Sequence, residues 1–311
     1  MNIVPKRSAV PALLSHYYKA LKEIEIWDEQ DPHRLLSVRC SAIPFCPLGF
    51  FVSVATKGMK RSLDMSGLFY TSVGTAVHTV MQKALALDGR RLFGNWKCRQ
   101  CKKIEKFSLQ RKCCSKFMDY EEIDIDWKGV KGHVDTLFAL DIKKAKEVSK
   151  LCQKKRIEKA KGLKFAVIDY KTTSETAKKT KARNPGQTYK EQAMAYAYLL
   201  GKQYDLKILE VILFFIPRDN PRNPTTYQEY VTPSSLEKIK SKIKIYKRAH
   251  KEVLNLSSLK EVKQLYEDYG KCSNPYCKTC KSKSIVTELK QAFKIARSEE
   301  RLPLREFILS Y

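Results

Sequence analysis

The sequence predicts an α/β fold with a central mixed sheet flanked by helices, and three patterns lead to it. Between Tyr70 and Leu87 apolar residues recur at helical spacing, at Val73, Val77, Val80, Met81 and Leu85. From Tyr120 the period changes to two: YEEIDIDW alternates acidic and apolar residues, and GHVDTLFAL and FAVIDYKTT follow as two further strands. Gln187 to Leu200 is helical again, and KILEVILFFIP is an apolar run of strand length, too short to cross a membrane.

Around this core the chain divides into an N-terminal helical segment, 1–69, a core, 70–232, and a C-terminal helical segment, 233–311. The first segment opens with an amphipathic helix expected over Pro11 to Trp27 and continues into the cysteine-bearing connection RCSAIPFCPLGFF. A cysteine-rich insertion, 94–116, interrupts the core ahead of the strands. Between GHVDTLFAL and FAVIDYKTT, residues Ile142 to Lys164 hold ten Lys or Arg against two Glu, either as a solvated excursion or as an arm onto phosphates. The last segment is basic helix interrupted by GKCSNPYCKTCKSK.

The 311 residues suffice to bury a substantial core without help from a metal. Sixty Lys and Arg against 33 acids give a net charge of +27, which favours a polyanionic partner through counterion release. The N-terminus lacks the continuous apolar core of a signal peptide, so a cytoplasmic protein with no membrane partner is expected. In a reducing compartment ten cysteines point to metal rather than to disulfides. Nine of them cluster: Cys40 and Cys46; Cys98, Cys101, Cys113 and Cys114; and Cys272, Cys277 and Cys280. Cys152 stands alone.

The strand FAVIDYKTT ends on charged residues. If it neighbours GHVDTLFAL, Asp135 and Asp169 converge, and Lys171 falls on the same face of its strand as Asp169. Two carboxylates at one strand edge repel each other unless a cation is bound, and a divalent metal takes oxygen ligands from both. A strand-end salt bridge is the plain alternative.

GHVD followed by IDYKT resembles the PD-(D/E)xK nuclease superfamily, in which an acid and then acid-x-lysine on the next strand form the metal site. Two further pieces resemble its RecB-like branch: His78 in GTAVHTVMQ, and Gln192 with Tyr196 in YKEQAMAYAYLL. The resemblance spans Gly74 to Leu200 and implies a restriction-endonuclease-like core. It further implies that Asp135, Asp169 and the Tyr170 carbonyl hold Mg²⁺ or Mn²⁺ with His78 as an added ligand. Lys171 would position or activate water, and Gln192 and Tyr196 would orient substrate or Lys171. Glu121 or Glu122 could join the metal shell.

The same branch has iron–sulfur members, among them CRISPR-adaptation exonucleases and phage recombination nucleases. By that resemblance Cys46 joins Cys272, Cys277 and Cys280 on a [4Fe–4S] cluster, with tetrahedral zinc as the rival. Their C-x4-C-x2-C spacing departs from the commonest arrangement of the family. Cys40 reads as a small buried hydrophobe. The insertion resembles a zinc ribbon: Cys98 and Cys101 form a good first knuckle, whereas Cys113 and Cys114 are adjacent and can reach one metal only through a strained turn.

The expected activity is metal-dependent hydrolysis of DNA, exonucleolytic on single-stranded ends, in recombination, repair or replication. Replication or recombination proteins are candidate partners, a homo-oligomer is left open, and a prokaryotic host or its virus is the expected source. The alternative is a non-catalytic nucleic-acid-binding component of a replication or packaging complex that keeps the nuclease fold. A zinc-ribbon RNA or transcription factor would leave GHVD and IDYKT unexplained. Phe50, Phe51, Trp96 and Tyr276 could stack on bases, although core packing accounts for such aromatics equally well.

Overall fold

The computed structural model describes residues 15, 19, 25–29, 32–44, 46–58, 60–88, 91–109, 112–270 and 285–310. The first segment runs through β1 (Glu25–Glu29), α1 (Pro32–Leu35), β2 (Val38–Arg39), α2 (Pro47–Lys57) and β3 (Lys60–Asp64) into the long helix α3 (Met65–Asp88). The insertion follows as β4 (Gly94–Lys97), β5 (Ile104–Ser108), β6 (Lys112–Cys113) and β7 (Lys116–Phe117), and β8 (Asp119–Glu121) leads out of it. Then come β9 (Ile123–Trp127), β10 (Val130–Val134), β11 (Thr136–Ala139), α4 (Ile142–Ser149), α5 (Gln153–Ala160) and β12 (Lys164–Thr173). Helices α6 (Glu175–Arg183) and α7 (Gln187–Tyr204) lead to β13 (Lys207–Pro217) and β14 (Thr225–Tyr230). Four helices close the described chain: α8 (Pro233–Leu254), α9 (Leu259–Tyr269), α10 (Ile285–Ser298) and α11 (Leu304–Ser310).

The central sheet has the order β11-β12-β13-β14, with β12 and β13 parallel and the outer pairings antiparallel. The parallel pair needs a crossover, and α6 with α7 supplies it. Phe165 to Ile168 are buried in succession, as expected of a strand covered on both faces, whereas β14 alternates along its length as a half-exposed edge. Ala193, Met194, Leu199 and Leu200 of α7 seal one face of the sheet. The predicted mixed sheet flanked by helices is thus present.

A second core joins the two ends of the chain. Leu48, Phe51 and Val54 of α2 pack with Leu265 of α9, Leu289 and Phe293 of α10, and Leu304 of α11. Phe51 is therefore a core residue, as is Trp96 in the insertion, while Phe50 packs against the His250 ring at 5.0 Å. Tyr276 lies outside the described residues. Among the described residues no helix is long and apolar enough to cross a membrane.

The structure departs from the sequence pattern in four places. The helix expected over Pro11 to Trp27 does not reach its end, because Glu25–Glu29 form β1, paired antiparallel with β3; the cross-strand partner overrides the helical pattern. YEEIDIDW is two strands broken at Glu122, and GHVDTLFAL is two strands broken at Asp135. Ile142 to Lys164 forms two helices whose lysines are exposed, a solvated excursion that is nonetheless anchored at one point. Arg156 is buried, pairs with Glu105 of β5 and donates to the Lys106 and Leu151 carbonyls, so the segment is fastened to the insertion.

Candidate active site

The two strand breaks meet. Val134 pairs with Ile123, so continuing the antiparallel register by one residue sets Asp135 opposite Glu122. On the other side Thr136 pairs with Ile168, and the same step sets Asp135 opposite Asp169. Asp135 Oδ2 accepts the Tyr170 backbone N–H at 2.8 Å, and the hydroxyls of Thr136 and Tyr170 lie 2.7 Å apart. Asp135 and Asp169 are both buried. Burial first, and then the Asp169 charge, push the Asp135 carboxyl up to about 8. Two residues beyond Asp169 along the strand, Lys171 sets its Nζ 2.6 Å from Asp169 Oδ2.

Helix α3 crosses this point. Tyr70, Gly74, His78 and Gln82 recur every four residues and so share one face. Each meets the strand side: Arg218 lies over the Tyr70 ring at 4.4 Å, and a Cβ on Gly74 would come within 3.9 Å of Thr172 Oγ1. His78 Nδ1 is 3.6 Å from Asp135 Oδ2, and Gln82 Nε2 donates to Glu122 Oε1 at 3.0 Å. Burial, and then the Lys171 charge, lower the His78 pKa, which keeps its ring neutral and able to donate a lone pair. Glu121 turns instead toward Lys97, at 4.0 Å.

Helix α7 supplies the remaining predicted pair. Gln192 Nε2 donates to the Tyr196 hydroxyl at 3.0 Å, and the Tyr196 phenol is held neutral by burial and then by the Asp169 charge. Tyr196 can pack here because GHVD begins with glycine. A Cβ on Gly132 would stand 3.0 Å from the Tyr196 ring and 2.6 Å from Cys40 Sγ. Cys40 is fully buried and its thiol is raised by burial to about 12, as befits a small core residue. Tyr189, one turn before Gln192, lies between two lysines: Lys171 Nζ is 5.5 Å and Lys181 Nζ 5.3 Å from its ring centre. Tyr189 and Gln82 have no counterpart among the residues predicted from sequence. The spacing of four from His78 was the available signal for Gln82.

In the insertion the sulfur atoms of Cys98, Cys101, Cys113 and Cys114 all lie within 4.8 Å of one another. Adjacent cysteines reach one point because β6 and β7 form a tight hairpin in which Cys113 pairs with Lys116. Its two turn residues, Cys114 and Ser115, have φ of 50° and 64°, the backbone of a mirror-image two-residue turn. This is the strained turn the adjacent cysteines require, since a side chain at positive φ is disfavoured. The first knuckle turns at Lys102, φ 60°, and backbone N–H groups, Cys101 first, lower the Cys98 thiol to about 7. Cys46 is buried at the start of α2 in the second core. Cys272, Cys277 and Cys280 lie outside the described residues, in the segment that links α9 to α10.

The donors fit two kinds of cation. Buried carboxylates at one strand edge, with Glu122 across from them, form a hard oxygen set suited to Mg²⁺ or Mn²⁺. Four converging thiols suit one tetrahedral ion, for which a Zn–S bond of about 2.3 Å separates the sulfurs by about 3.8 Å. The Cys113 and Cys114 sulfurs are 3.9 Å apart, and those of Cys101 and Cys113 are 3.4 Å apart.

Residues 156–285 match the model of the PD-(D/E)XK nuclease superfamily, a span that contains Asp169, Lys171, Gln192 and Tyr196 and begins after Asp135 and His78. Comparison with curated proteins gives no match. Among solved structures the chain is similar to an alkaline exonuclease, LHK-Exo, from Laribacter hongkongensis, at 9% identity and a TM-score of 0.43, over 72% of this chain and 92% of that one. The complex of LHK-Exo with dAMP gives the same coverage and identity with a TM-score of 0.42.

Proposed function

We propose that this chain, whose core is that of the PD-(D/E)XK nuclease superfamily, is a Mg²⁺- or Mn²⁺-dependent deoxyribonuclease that removes nucleotides from single-stranded ends. The observation that carries the proposal is the meeting of Asp135, Asp169, Lys171 and His78 at the break between β10 and β11.

Asp135 and Asp169, with Glu122, His78 and the Tyr170 carbonyl, are the residues that would hold the cation. When bound it neutralises the carboxylates, stabilises charge on a phosphate oxygen and acidifies a water. The chain supplies the rest. The Tyr170 N–H fixes one lone pair of Asp135 and leaves the remaining carboxylate oxygen for the ion. Lys171 is held beside Asp169 and against the Tyr189 ring, so its amino group is aimed and partly shielded from solvent, where it orients the attacking water as an ammonium or takes its proton as the neutral amine. Gln192 and Tyr196, bonded to each other and near enough for the Asp169 charge to act on the Tyr196 phenol, would orient the substrate or Lys171.

The insertion is read as a zinc site on Cys98, Cys101, Cys113 and Cys114. A [4Fe–4S] cluster on Cys46, Cys272, Cys277 and Cys280 follows from the family resemblance. What supports it is that α2, headed by Cys46, shares a core with α9 and α10, which flank the other three cysteines in sequence. We read the chain as divided at 69 and 232, with the two end segments packed on each other and each also lending residues to the central core, Val38 and Cys40 from the first and Ile239 and Ile243 from the last.

The test is degradation of end-labelled single- and double-stranded DNA with Mg²⁺, Mn²⁺ or EDTA. Stepwise loss from single-stranded ends that EDTA abolishes is expected. Cleavage that persists in EDTA would overturn the metal role.

A further inference from the structure

Beside the active site lies a groove that the predicted roles do not use. It is formed between α3 and the insertion, holds about 1170 Å³, and is lined by Val80, Lys83, Arg99, Lys116, Phe117 and Met118, among others. Its floor is apolar. Val80 is 62% exposed and Phe117 60% exposed, both large for apolar side chains. Its rim is cationic. Lys83 and Lys116 stand exposed, and Asp119, an acid of the lining, is held bidentately by Arg99 at 2.5 and 2.7 Å. Between Gly94 and Lys116 the insertion carries eight Lys or Arg against one Glu.

The groove continues the active site. Helix α3 lines both: His78 faces the carboxylates, Thr79, Val80 and Lys83 line the groove, and Gln82, which donates to Glu122, lines the groove as well. Lys83 lies about 7.5 Å along the helix axis from His78 and about 140° around it, so the groove opens on the flank of α3 beside the face that meets the carboxylates. On the other wall β8 carries Tyr120, which lines the groove, and Glu122, in the site, follows directly on its last residue.

We propose that this groove is the path of the single DNA strand at the active site, with Phe117 stacking on a base and Lys83 and Lys116 on the flanking phosphates. The proposal rests on the nuclease reading. An apolar floor between cations is the arrangement that takes an unpaired base with its backbone: every base has a face to stack, and every phosphate is an anion. The occupant is a strand rather than a duplex, because a paired base has no free face for Phe117. The hairpin that carries Phe117 is the one whose turn residues, Cys114 and Ser115, hold or follow the thiol cluster. Zinc there would keep the ring in place, and Lys112, 4.9 Å from the ring centre, backs it.

The test uses the full chain carrying Asp169→Asn, expected to hold DNA without cutting it, and a fluorescein-labelled oligo-dT strand read by anisotropy. Phe117→Ala is expected to weaken binding about 5- to 150-fold, the usual range for one stacked base. Lys83→Glu with Lys116→Glu should weaken it further and flatten its salt dependence. Phe117 is exposed, so its removal should leave thermal stability and metal content unchanged, and both are measured. A strand carrying 5-iodouracil, cross-linked by light, should attach to the peptide spanning Lys116 to Tyr120 or to that spanning Thr79 to Ala84. Unchanged affinity in both variants, or cross-links confined to other peptides, would overturn the proposal. Because these readouts need no turnover, a wild-type chain that binds here but cleaves nothing would refute the nuclease reading and leave the groove standing. A cleaving chain with unaffected variants would do the reverse.

Discussion

The Asp135 carboxylate accepts the backbone N–H of Tyr170 at 2.8 Å, tying the acid between β10 and β11 to the strand that carries Asp169 and Lys171. The bond holds two buried carboxylates at the same edge, and the cost appears in Asp135, whose carboxyl burial and the Asp169 charge raise to about 8.

That cost makes metal-free stability depend on pH. The folded protein keeps a proton on Asp135 where the unfolded chain, with a carboxylate near 3.8, has lost it. The stabilisation is therefore complete below about pH 4 and is lost as pH rises through about 8. Asp135→Asn keeps an oxygen for the Tyr170 N–H and removes the charge. In EDTA it should melt above wild type at pH 8, and the gap should close toward pH 5. Mg²⁺ should raise the melting temperature of wild type at pH 8 and not that of the variant. A gap that does not change with pH would contradict the assignment.

Gly132 is required by contact, since a Cβ there would stand 2.6 Å from Cys40 Sγ and 3.0 Å from the Tyr196 ring. Gly132→Ala should cost about 1–3 kcal/mol by denaturant unfolding, as overpacking of a core does. Cys40→Ala in the same chain should recover part of the loss, giving a coupling that independent sites lack. Strict additivity would show that the close approach is not what the glycine serves.

The residue pairs brought together at the candidate site were legible because their spacings are physical. Acid-x-lysine on a strand and Gln-x-x-x-Tyr on a helix each force a shared face, so Asp169 with Lys171 and Gln192 with Tyr196 could be paired from the sequence. What stayed hidden depends on the backbone or on partners distant in sequence. The alternation falters at Glu121-Glu122 and again at Asp135-Thr136, a signal for the two strand breaks that the period-two reading passed over, but residue order does not say that Glu122 rather than Glu121 faces the site. Residue order does not reveal the positive φ of Cys114, which lets adjacent cysteines converge. Ile142 to Lys164 reads as solvated from composition, yet Arg156 is buried because Glu105, fifty-one residues away, receives it.

Metal analysis should find zinc that disappears with Cys98→Ser and Cys101→Ser while the nuclease core stays folded, because the sulfurs belong to the insertion hairpins. Cys114→Ser alone should also lower zinc retention against a chelator, despite its neighbour Cys113. Zinc unchanged in the double variant would remove the site.

Anaerobically purified protein should be brown, and Cys46→Ala should bleach it and lower thermal stability, since Cys46 heads a helix packed in the core shared by both chain ends. Colourless protein whose zinc is lost on Cys46→Ala would give that site to zinc.

The most direct measurement is cleavage of an end-labelled single strand by wild type, Asp135→Ala, Asp169→Ala and Lys171→Ala, with DNA binding measured in parallel. Wild type should cut with Mg²⁺ or Mn²⁺. Both aspartate variants should lose hydrolysis while still binding DNA, and Lys171→Ala should lose about 10²- to 10⁴-fold in rate with the cation still bound. A wild-type chain that cleaves no DNA end with either metal, or aspartate variants that cut as wild type does, would contradict the account.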